Sequence, residues 1–230
     1  MKPMRKQFAL VTGSSSGLGL EMSHYLIEEG YTVFGASRSG TDIDHEDFID
    51  LEVDVREEES VMAMYDSIGE TTFGLNLIVN NAGIYEVSPM VETSSEDFMN
   101  HLVTNIMGPF HVLKHGHAFL IENITHVVTI SSIASQRGFE NTSAYCASKF
   151  GLNGMIESVR EEWKSLGIRF TSLMPGAIDT PLWSNLSSDF ERSKMLDPED
   201  FIHVFDMVVK APPNMQFKGI SFLHKSGVII

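Results

Sequence analysis

The stretch Phe8-Ala-Leu-Val11-Thr12-Gly13-Ser14-Ser15-Ser16-Gly17-Leu18-Gly19 joins an apolar run to a glycine-rich turn and a helix pattern. Its first four residues are typical of a buried parallel strand. Leu18, Met22 and Leu26 then recur on one helical face, and Gly30 marks the end. Glycine lets the backbone approach a pyrophosphate, and a helix N-terminus offers oriented N–H groups. The stretch therefore predicts a phosphate-binding turn, with an ordinary βα turn as the alternative.

Composition limits what the chain can be. Its 230 residues, 43% of them hydrophobic, predict one domain spanning residues 1–230. The formal net charge of −15 argues against nucleic-acid and anionic-membrane partners. A single cysteine, Cys146, excludes an intrachain disulfide, and no apolar stretch has the length of a signal-peptide core or a membrane span. We expect a cytoplasmic protein.

The second strand pattern, Thr32-Val-Phe-Gly-Ala36, bears on cofactor choice because it ends in Ser37 and Arg38. In dinucleotide-binding folds the residue after this strand lies beside the adenosine ribose, where an acidic residue selects NAD. An arginine instead suits a 2′-phosphate through a forked contact. Arg38 predicts a preference for NADP(H), with NAD(H) or a plain solvated loop charge as alternatives. Residues 39–47 barely leave room for a crossover helix, so we expect a loop or a single turn.

The remaining elements alternate as in a parallel sheet covered by helices. Strand patterns follow at residues 48–53, 75–79, 126–130, 168–173 and 219–223. Helix patterns follow at residues 56–68, from Ser94 or Ser95 through Ile106, from Ala144, and from Asp197-Pro198. Gly108-Pro109 predicts a bend. Residues 178–200 are expected to form a lid over a substrate pocket.

Tyr145-Cys-Ala-Ser-Lys149 places a phenol and an ammonium group one helical turn apart, on one face. A phenol normally titrates near ~10, and a nearby positive charge lowers that pKa. Such a phenol can exchange a proton with an oxygen near neutral pH. A chance pair on a surface helix is the alternative. His111 and His115 also share a face, but no further ligand lies at metal-binding spacing, so we expect no metal.

Taken together, the motifs resemble the short-chain dehydrogenase/reductase family over nearly the whole chain. The motifs are Thr12-Gly13-x3-Gly17-x-Gly19, Asn80-Asn81-Ala82-Gly83, Asn105, Ser132, Tyr145-x3-Lys149 and Pro175-Gly176-x3-Thr180. The resemblance implies a Rossmann-type α/β fold, a doubly wound parallel sheet of about seven strands in the order 3-2-1-4-5-6-7.

The resemblance also implies a catalytic set. Tyr145 would be the general acid/base, and Ser132 would hydrogen-bond the substrate oxygen. Lys149 would bind the nicotinamide ribose and lower the pKa of Tyr145, and Asn105 would hold a water that links Lys149 to solvent. The implied cofactor-binding residues are Gly13, Ser15, Ser16, Gly17, Leu18, Gly19, Ser37, Arg38, Asp54, Val55, Asn81, Ala82, Gly83, Tyr145, Lys149, Pro175, Gly176, Ile178 and Thr180.

The expected function is hydride transfer between NADP(H) and a small-molecule carbonyl/alcohol pair. One alternative is a non-catalytic nucleotide-binding sensor, and another is an epimerase or dehydratase, for which the chain leaves little room. Ser16 departs from relatives that carry a basic residue there. A substrate wall is predicted from Tyr85, Met90, Phe139, Leu182 and Trp183. A homodimer or homotetramer is predicted from an excess of apolar helix residues, namely Phe110, Leu113, Phe150, Leu152, Met155 and Ile156.

Overall fold

The computed structural model describes residues 6–183 and 191–227. A seven-stranded sheet runs through its centre in the order β3-β2-β1-β4-β5-β6-β7, and every neighbouring pair is parallel. The strands are β1 (Gln7–Thr12), β2 (Tyr31–Ser37), β3 (Phe48–Glu52), β4 (Leu77–Asn80), β5 (His126–Ile130), β6 (Arg169–Pro175) and β7 (Gly219–Phe222). The predicted fold class and strand order are confirmed.

Helices cover both faces of this sheet. They are α1 (Gly17–Glu28), α2 (Glu58–Gly69), α3 (Ser95–Leu102), α4 (Gly108–Gly116), α5 (Ser143–Glu162) and α6 (Pro198–Val209). One apolar cluster lies between the sheet and α2, α4 and α5 and includes Phe34, Tyr65 and Ile156. A second lies between the sheet and α1 and α6 and includes Met22 and Phe205. The strands are therefore buried on both faces, as their near-continuous hydrophobic sequence predicts.

Several local predictions hold. The strand at residues 126–130 has the predicted bounds, and no helix forms between β2 and β3. Ser94 caps α3, because its side chain accepts a hydrogen bond from the Asp97 N–H at 3.0 Å. The last helix begins at Pro198 behind Asp197, which forms a capping box with Asp200.

The long helix predicted through residues 95–106 has an interruption instead of a simple bend. Residues Val103–Met107 form a π-helical turn between α3 and α4, in which the Gly108 N–H donates to the Val103 carbonyl. The cause is Pro109, which has no N–H to give to the carbonyl of Asn105 four residues earlier. The hydrogen-bond ladder shifts by one residue there, as in other π-bulges.

The two histidines of α4 have protein partners. His111 Nδ1 lies 3.0 Å from the Val55 carbonyl, and His115 Nε2 lies 2.8 Å from Glu58 Oε1. Within residues 6–183 and 191–227, no group of three or more His, Cys, Asp or Glu side chains is arranged to hold a metal ion. In the same part of the chain, no helix is long and apolar enough to cross a membrane.

Candidate active site

A cleft of about 530 Å³ opens at the carboxyl ends of the central strands, where the strand order reverses between β1 and β4. Parallel sheets bind ligands at this switch point. The turn after β1 forms one wall, and Gly13 there has a φ of +70°, which favours glycine. A side chain on Gly19 would collide with the Gly13 carbonyl oxygen, so both glycines are required by close backbone contact.

Most of the predicted site residues line this cleft. Those that do are Gly13, Ser15, Ser16, Gly17, Leu18, Ser37, Arg38, Asp54, Val55, Asn81, Ala82, Gly83, Ser132, Tyr145, Lys149, Pro175, Gly176, Ile178 and Thr180. Gly19 and Asn105 are the exceptions. Gly19 lies behind the turn and lets α1 approach it, so the prediction that Gly19 contacts the cofactor is not supported by its position.

Two arginines flank the cleft beyond β2 and β3. Arg38 is exposed, and no ion pair holds it among the residues that the structure describes. Arg56, which the sequence analysis did not single out, donates from Nε to both oxygens of Asp54 at 2.9 and 3.0 Å. This hydrogen bonding is the main reason that the pKa of Asp54 is lowered, and the charge of Arg38 adds to it. Arg56 could have been suspected from its place two residues after Asp54 at a strand end.

Ser132 and Tyr145 meet at the other end of the cleft. Ser132 follows β5 and is 8% exposed, and its Oγ accepts a hydrogen bond from the Ala134 N–H at 3.1 Å. Tyr145 lies in the first turn of α5, and the Ser132 side chain is close enough to lower the pKa of its hydroxyl. The two side chains line the same part of the cleft.

Lys149 lies one turn further along α5 and is 5% exposed. Its Nζ donates to the Ile130 carbonyl at 3.0 Å and lies 5.6 Å from the centre of the Tyr145 ring. Burial lowers the pKa of Lys149 to about 8. The ammonium group is therefore held at the end of β5, close to the phenol ring.

The predicted effect of Lys149 on Tyr145 is wrong for this structure. The pKa of Tyr145 is raised to about 12, chiefly because burial disfavours the phenolate. The Ser132 side chain works in the opposite direction, and Lys149 makes no resolved contribution. The reason is that the Lys149 ammonium points to the Ile130 carbonyl and is itself costly to charge in this buried place.

Asn105 lies in the π-helical turn behind the cleft and is 1% exposed. Its Oδ1 accepts from the Ile84 N–H at 2.9 Å, and its Nδ2 donates to the Ile84 carbonyl at 3.0 Å and to Ser148 Oγ at 2.9 Å. Its side chain is thus used to fix the loop after β4. Its backbone carbonyl lacks the usual helical donor four residues later, because that residue is Pro109.

Aromatic residues close the cleft beside Tyr145. The Tyr85 ring contacts the Tyr145 ring edge to face at 4.7 Å and the Trp183 ring at 5.2 Å. Tyr85, Leu182 and Trp183 line the cleft as predicted. Met90 and Phe139 do not, because Met90 is 79% exposed and Phe139 stacks under Arg137. Residues 184–190 of the predicted lid lie outside the described residues.

The residues present fit a nicotinamide dinucleotide. The glycine turn brings backbone close to the N-terminus of α1, where phosphates bind. Ser37 is buried at the far end of the cleft, and its Oγ has no hydrogen-bond partner among the described residues. An orphaned buried hydroxyl beside an unpaired arginine is suited to an anionic ligand.

Comparisons with known proteins agree with this geometry. A family model described as short chain dehydrogenase matches residues 7–191. Sepiapterin reductase from Chlorobaculum tepidum is 28% identical over 216 residues, which cover 85% of this chain and 86% of that protein. The structure of an alcohol dehydrogenase from Thermococcus sibiricus complexed with 5-hydroxy-NADP superposes with a TM-score of 0.87 at 20% identity, covering 98% of this chain and 100% of that one. A 3-ketoacyl-(acyl-carrier-protein) reductase from Brucella melitensis complexed with NADH gives 0.85 at 20% identity, covering 94% and 96%. At these identities the two structures show the fold alone.

The lowered pKa of Lys149 predicts a pH-dependent stability difference. Burial lowers this pKa from 10.5 to about 8. Between these values the unfolded state holds a proton that the folded state has released, so the free energy of unfolding rises with pH. Below about pH 8 both states are protonated and the burial penalty is fully present. Lys149→Met lacks this penalty, so its free energy of unfolding relative to wild type should be most favourable near pH 7. This difference in the free energy of unfolding should shrink by about 3 kcal/mol towards pH 10.5.

Urea denaturation at a series of pH values measures this difference directly. Lys164→Met, at an exposed position, is the control and should show a difference from wild type that does not vary with pH. A difference between wild type and Lys149→Met that stays constant from pH 7 to pH 10.5 would contradict the prediction. Tyr145 is present in every variant, so its own titration cancels in the comparison.

Proposed function

We propose that the chain, which belongs to the short-chain dehydrogenase family, is an NADP-dependent oxidoreductase with Tyr145 as its general acid/base. It transfers a hydride between NADP(H) and a small-molecule carbonyl/alcohol pair. The observation that carries the proposal is that Ser132 and Tyr145 line the same cleft as a pair of hydroxyls, with the Ser132 side chain close enough to lower the pKa of Tyr145. A nucleotide sensor would have no need of such a pair.

Ser132 and Tyr145 would both bind the substrate oxygen, and Tyr145 would also protonate it. NADPH bound in the cleft supplies the hydride. Both hydroxyls donate hydrogen bonds to the substrate carbonyl oxygen and stabilise the negative charge that develops on it. Tyr145 then gives its proton to that oxygen. A pKa raised to about 12 keeps Tyr145 protonated at neutral pH, which suits the reduction direction.

Lys149 and Asn105 would restore the proton. Lys149 would bind the nicotinamide ribose, and its pKa of about 8 lets it release and regain a proton near neutral pH. The backbone carbonyl of Asn105, which has no N–H donor at Pro109, would hold the water that connects Lys149 with solvent. We propose this role for the backbone because the Asn105 side chain is occupied by Ile84 and Ser148.

NADP preference is proposed from the residues after β2. Ser37 stands where a carboxylate would repel a 2′-phosphate, its hydroxyl lacks a partner, and Arg38 is unpaired within the described residues. Arg56 adds a second guanidinium, although Asp54 neutralises it. The remaining predicted residues, up to Thr180 beside the nicotinamide, are proposed cofactor contacts on the same grounds.

We also propose one dinucleotide-binding domain with a lid around residues 178–200, and a cytoplasmic location for a chain whose only thiol, Cys146, is unpaired. Within this lid, Trp183 Nε1 donates a hydrogen bond to the Ile178 carbonyl at 2.8 Å. Closure of such a segment over the substrate would exclude water during hydride transfer.

Tyr145→Phe tests the catalytic assignment because it removes the transferable proton and keeps the ring. Turnover of a ketone with NADPH should fall at least about a hundredfold, the scale of acid/base groups. NADPH affinity, measured by fluorescence titration, should survive. Ser132→Ala should likewise reduce turnover more than binding. A Tyr145→Phe protein with near-normal turnover would refute the assignment.

Arg38→Ala tests cofactor choice. A hydrogen bond to a charged group is worth roughly 1.5–3 kcal/mol, which corresponds to about a ten- to hundredfold preference for NADPH over NADH. The ratio of kcat/KM for the two cofactors should show this preference in wild type and lose it in Arg38→Ala. Arg137→Ala, outside the cleft, is the control. Equal ratios in wild type and Arg38→Ala would count against the proposal.

A homodimer or homotetramer is proposed from α4 and α5, with a correction to the sequence argument. Leu113, Leu152 and Ile156 are buried against the sheet and cannot form an interface. Phe110 and Phe150 remain 40% and 47% exposed on these helices.

Light scattering at micromolar concentration should give at least a dimer mass. Phe150→Glu should reduce that mass, because it puts a charge in the proposed apolar contact. Phe73→Glu, an equally apolar but 90% exposed position, should not. A monomeric wild-type mass would overturn this part of the proposal.

A further inference from the structure

A second cavity of about 430 Å³ adjoins the cofactor cleft. It lies between the loop after β4, helix α3 and the start of α5. Ile84, Tyr85 and Leu182 line both spaces, and Ala144, beside the proposed acid/base, lines the second. A substrate whose carbonyl lies against Tyr145 would therefore extend its remaining part towards this cavity.

Two of the residues that line the second cavity are buried and carry a polar atom without a partner. Tyr85 is 7% exposed and His101 is 2% exposed. Neither the Tyr85 hydroxyl nor His101 Nε2 has a hydrogen-bond partner among the described residues. Leaving a buried polar group unsatisfied costs about 1–3 kcal/mol, so a ligand group that hydrogen-bonds to both atoms would remove this cost.

The hydrogen-bonding character of His101 follows from its other nitrogen. Its Nδ1 lies 2.8 Å from the Asp97 backbone carbonyl. Because a carbonyl only accepts, Nδ1 carries the proton, and Nε2 of the neutral ring is an acceptor. Tyr85 can both donate and accept. A ligand group that satisfies both atoms must itself have a hydrogen to donate.

The charged residues at the second cavity further limit the class of ligand that it can bind. Glu86 and Asp97 line it, and no lysine or arginine does so in the part of the chain that the structure describes. A carboxylate or phosphate on the substrate would meet like charge and no counter-charge. An alkyl chain would leave Tyr85 and His101 unsatisfied, and a site with unpaired polar groups discriminates against such a ligand.

We propose that this cavity receives the part of the substrate beyond its reacting carbonyl, and that this part is uncharged and bears hydroxyl or N–H donors, which Tyr85 and His101 bind. The inference rests on the proposed oxidoreductase function and adds the substrate class. The substrates are then hydroxylated or amide-bearing carbonyl compounds, neither simple alkanones nor oxo acids.

Three ketones of matched length separate these classes. In the holoenzyme with NADPH, 6-hydroxy-2-hexanone should have a kcat/KM at least about tenfold above that of 2-heptanone, in which a methyl group replaces the hydroxyl. The acid 6-oxoheptanoate should be the poorest substrate. Equal values for the first two ketones, or the highest value for the acid, would overturn the proposal.

Single-residue variants test whether Tyr85 and His101 cause the preference for the hydroxyketone. Tyr85→Phe keeps the ring contacts with Tyr145 and Trp183 and removes only the hydroxyl. It should reduce the preference for the hydroxyketone about tenfold, and His101→Phe should do the same. Tyr31→Phe, a half-buried tyrosine that lines neither cavity, is the matched control and should keep the wild-type ratio. A wild-type ratio in both Tyr85→Phe and His101→Phe would overturn the proposal.

A binding experiment distinguishes failure of the proposed oxidoreductase function from failure of the cavity assignment. If no ketone is reduced with either cofactor, the oxidoreductase assignment fails, and calorimetric titration of 6-hydroxy-2-hexanone and 2-heptanone into the protein tests the cavity by itself. Tighter binding of the hydroxyketone that is lost in Tyr85→Phe would support the cavity assignment. Equal binding of both ketones would overturn it.

Discussion

Hydrogen bonds between the carboxyl ends of β1 and β4 hold the cleft open and in shape. The Thr12 hydroxyl donates to the Val79 carbonyl at 3.2 Å and accepts from the N–H groups of Asn81 and Ala82 at 3.0 and 3.1 Å. Asn81 Nδ2 in turn donates a hydrogen bond of 2.8 Å to the Thr12 carbonyl. A parallel sheet diverges at this point because its crossover helices lie on opposite faces. These side chains replace the backbone pairing that ends there, and both turns that line the cofactor cleft start from them.

Burial at this edge of the sheet has opposite effects on the two proposed catalytic groups. It raises the pKa of Tyr145 to about 12 and lowers the pKa of Lys149 to about 8. Both shifts favour the uncharged form, since the surroundings are apolar. The protein therefore keeps a protonated phenol beside an amine that loses its charge easily. Such a pair is suited to moving one proton at a time, and it costs stability that the rest of the sheet must supply.

The fold was more predictable than the electrostatics of the site. The strand at residues 126–130 could be predicted because its β-branched residues form a compact, mostly apolar run, and the turn at Gly13 because strand, glycines and helix occur in sequence. The direction of the Tyr145 pKa could not be predicted, because helical spacing puts Lys149 on the same face but does not reveal that the Ile130 carbonyl holds its ammonium group. His101 and Arg56 were missed for the same reason, since their partners and burial depend on tertiary packing. The interruption at Val103–Met107 was within reach, because Pro109 removes the donor that Asn105 would need.

The π-helical turn then links the cofactor cleft to the second cavity. Asn105 holds both the N–H and the carbonyl of Ile84. These two hydrogen bonds fix the loop after β4 at Ile84, with Gly83 next to Lys149 on one side and Tyr85 against the Tyr145 ring on the other. The Asn105 amide therefore positions one loop, Ile84 and Tyr85, that lines both the cofactor cleft and the second cavity.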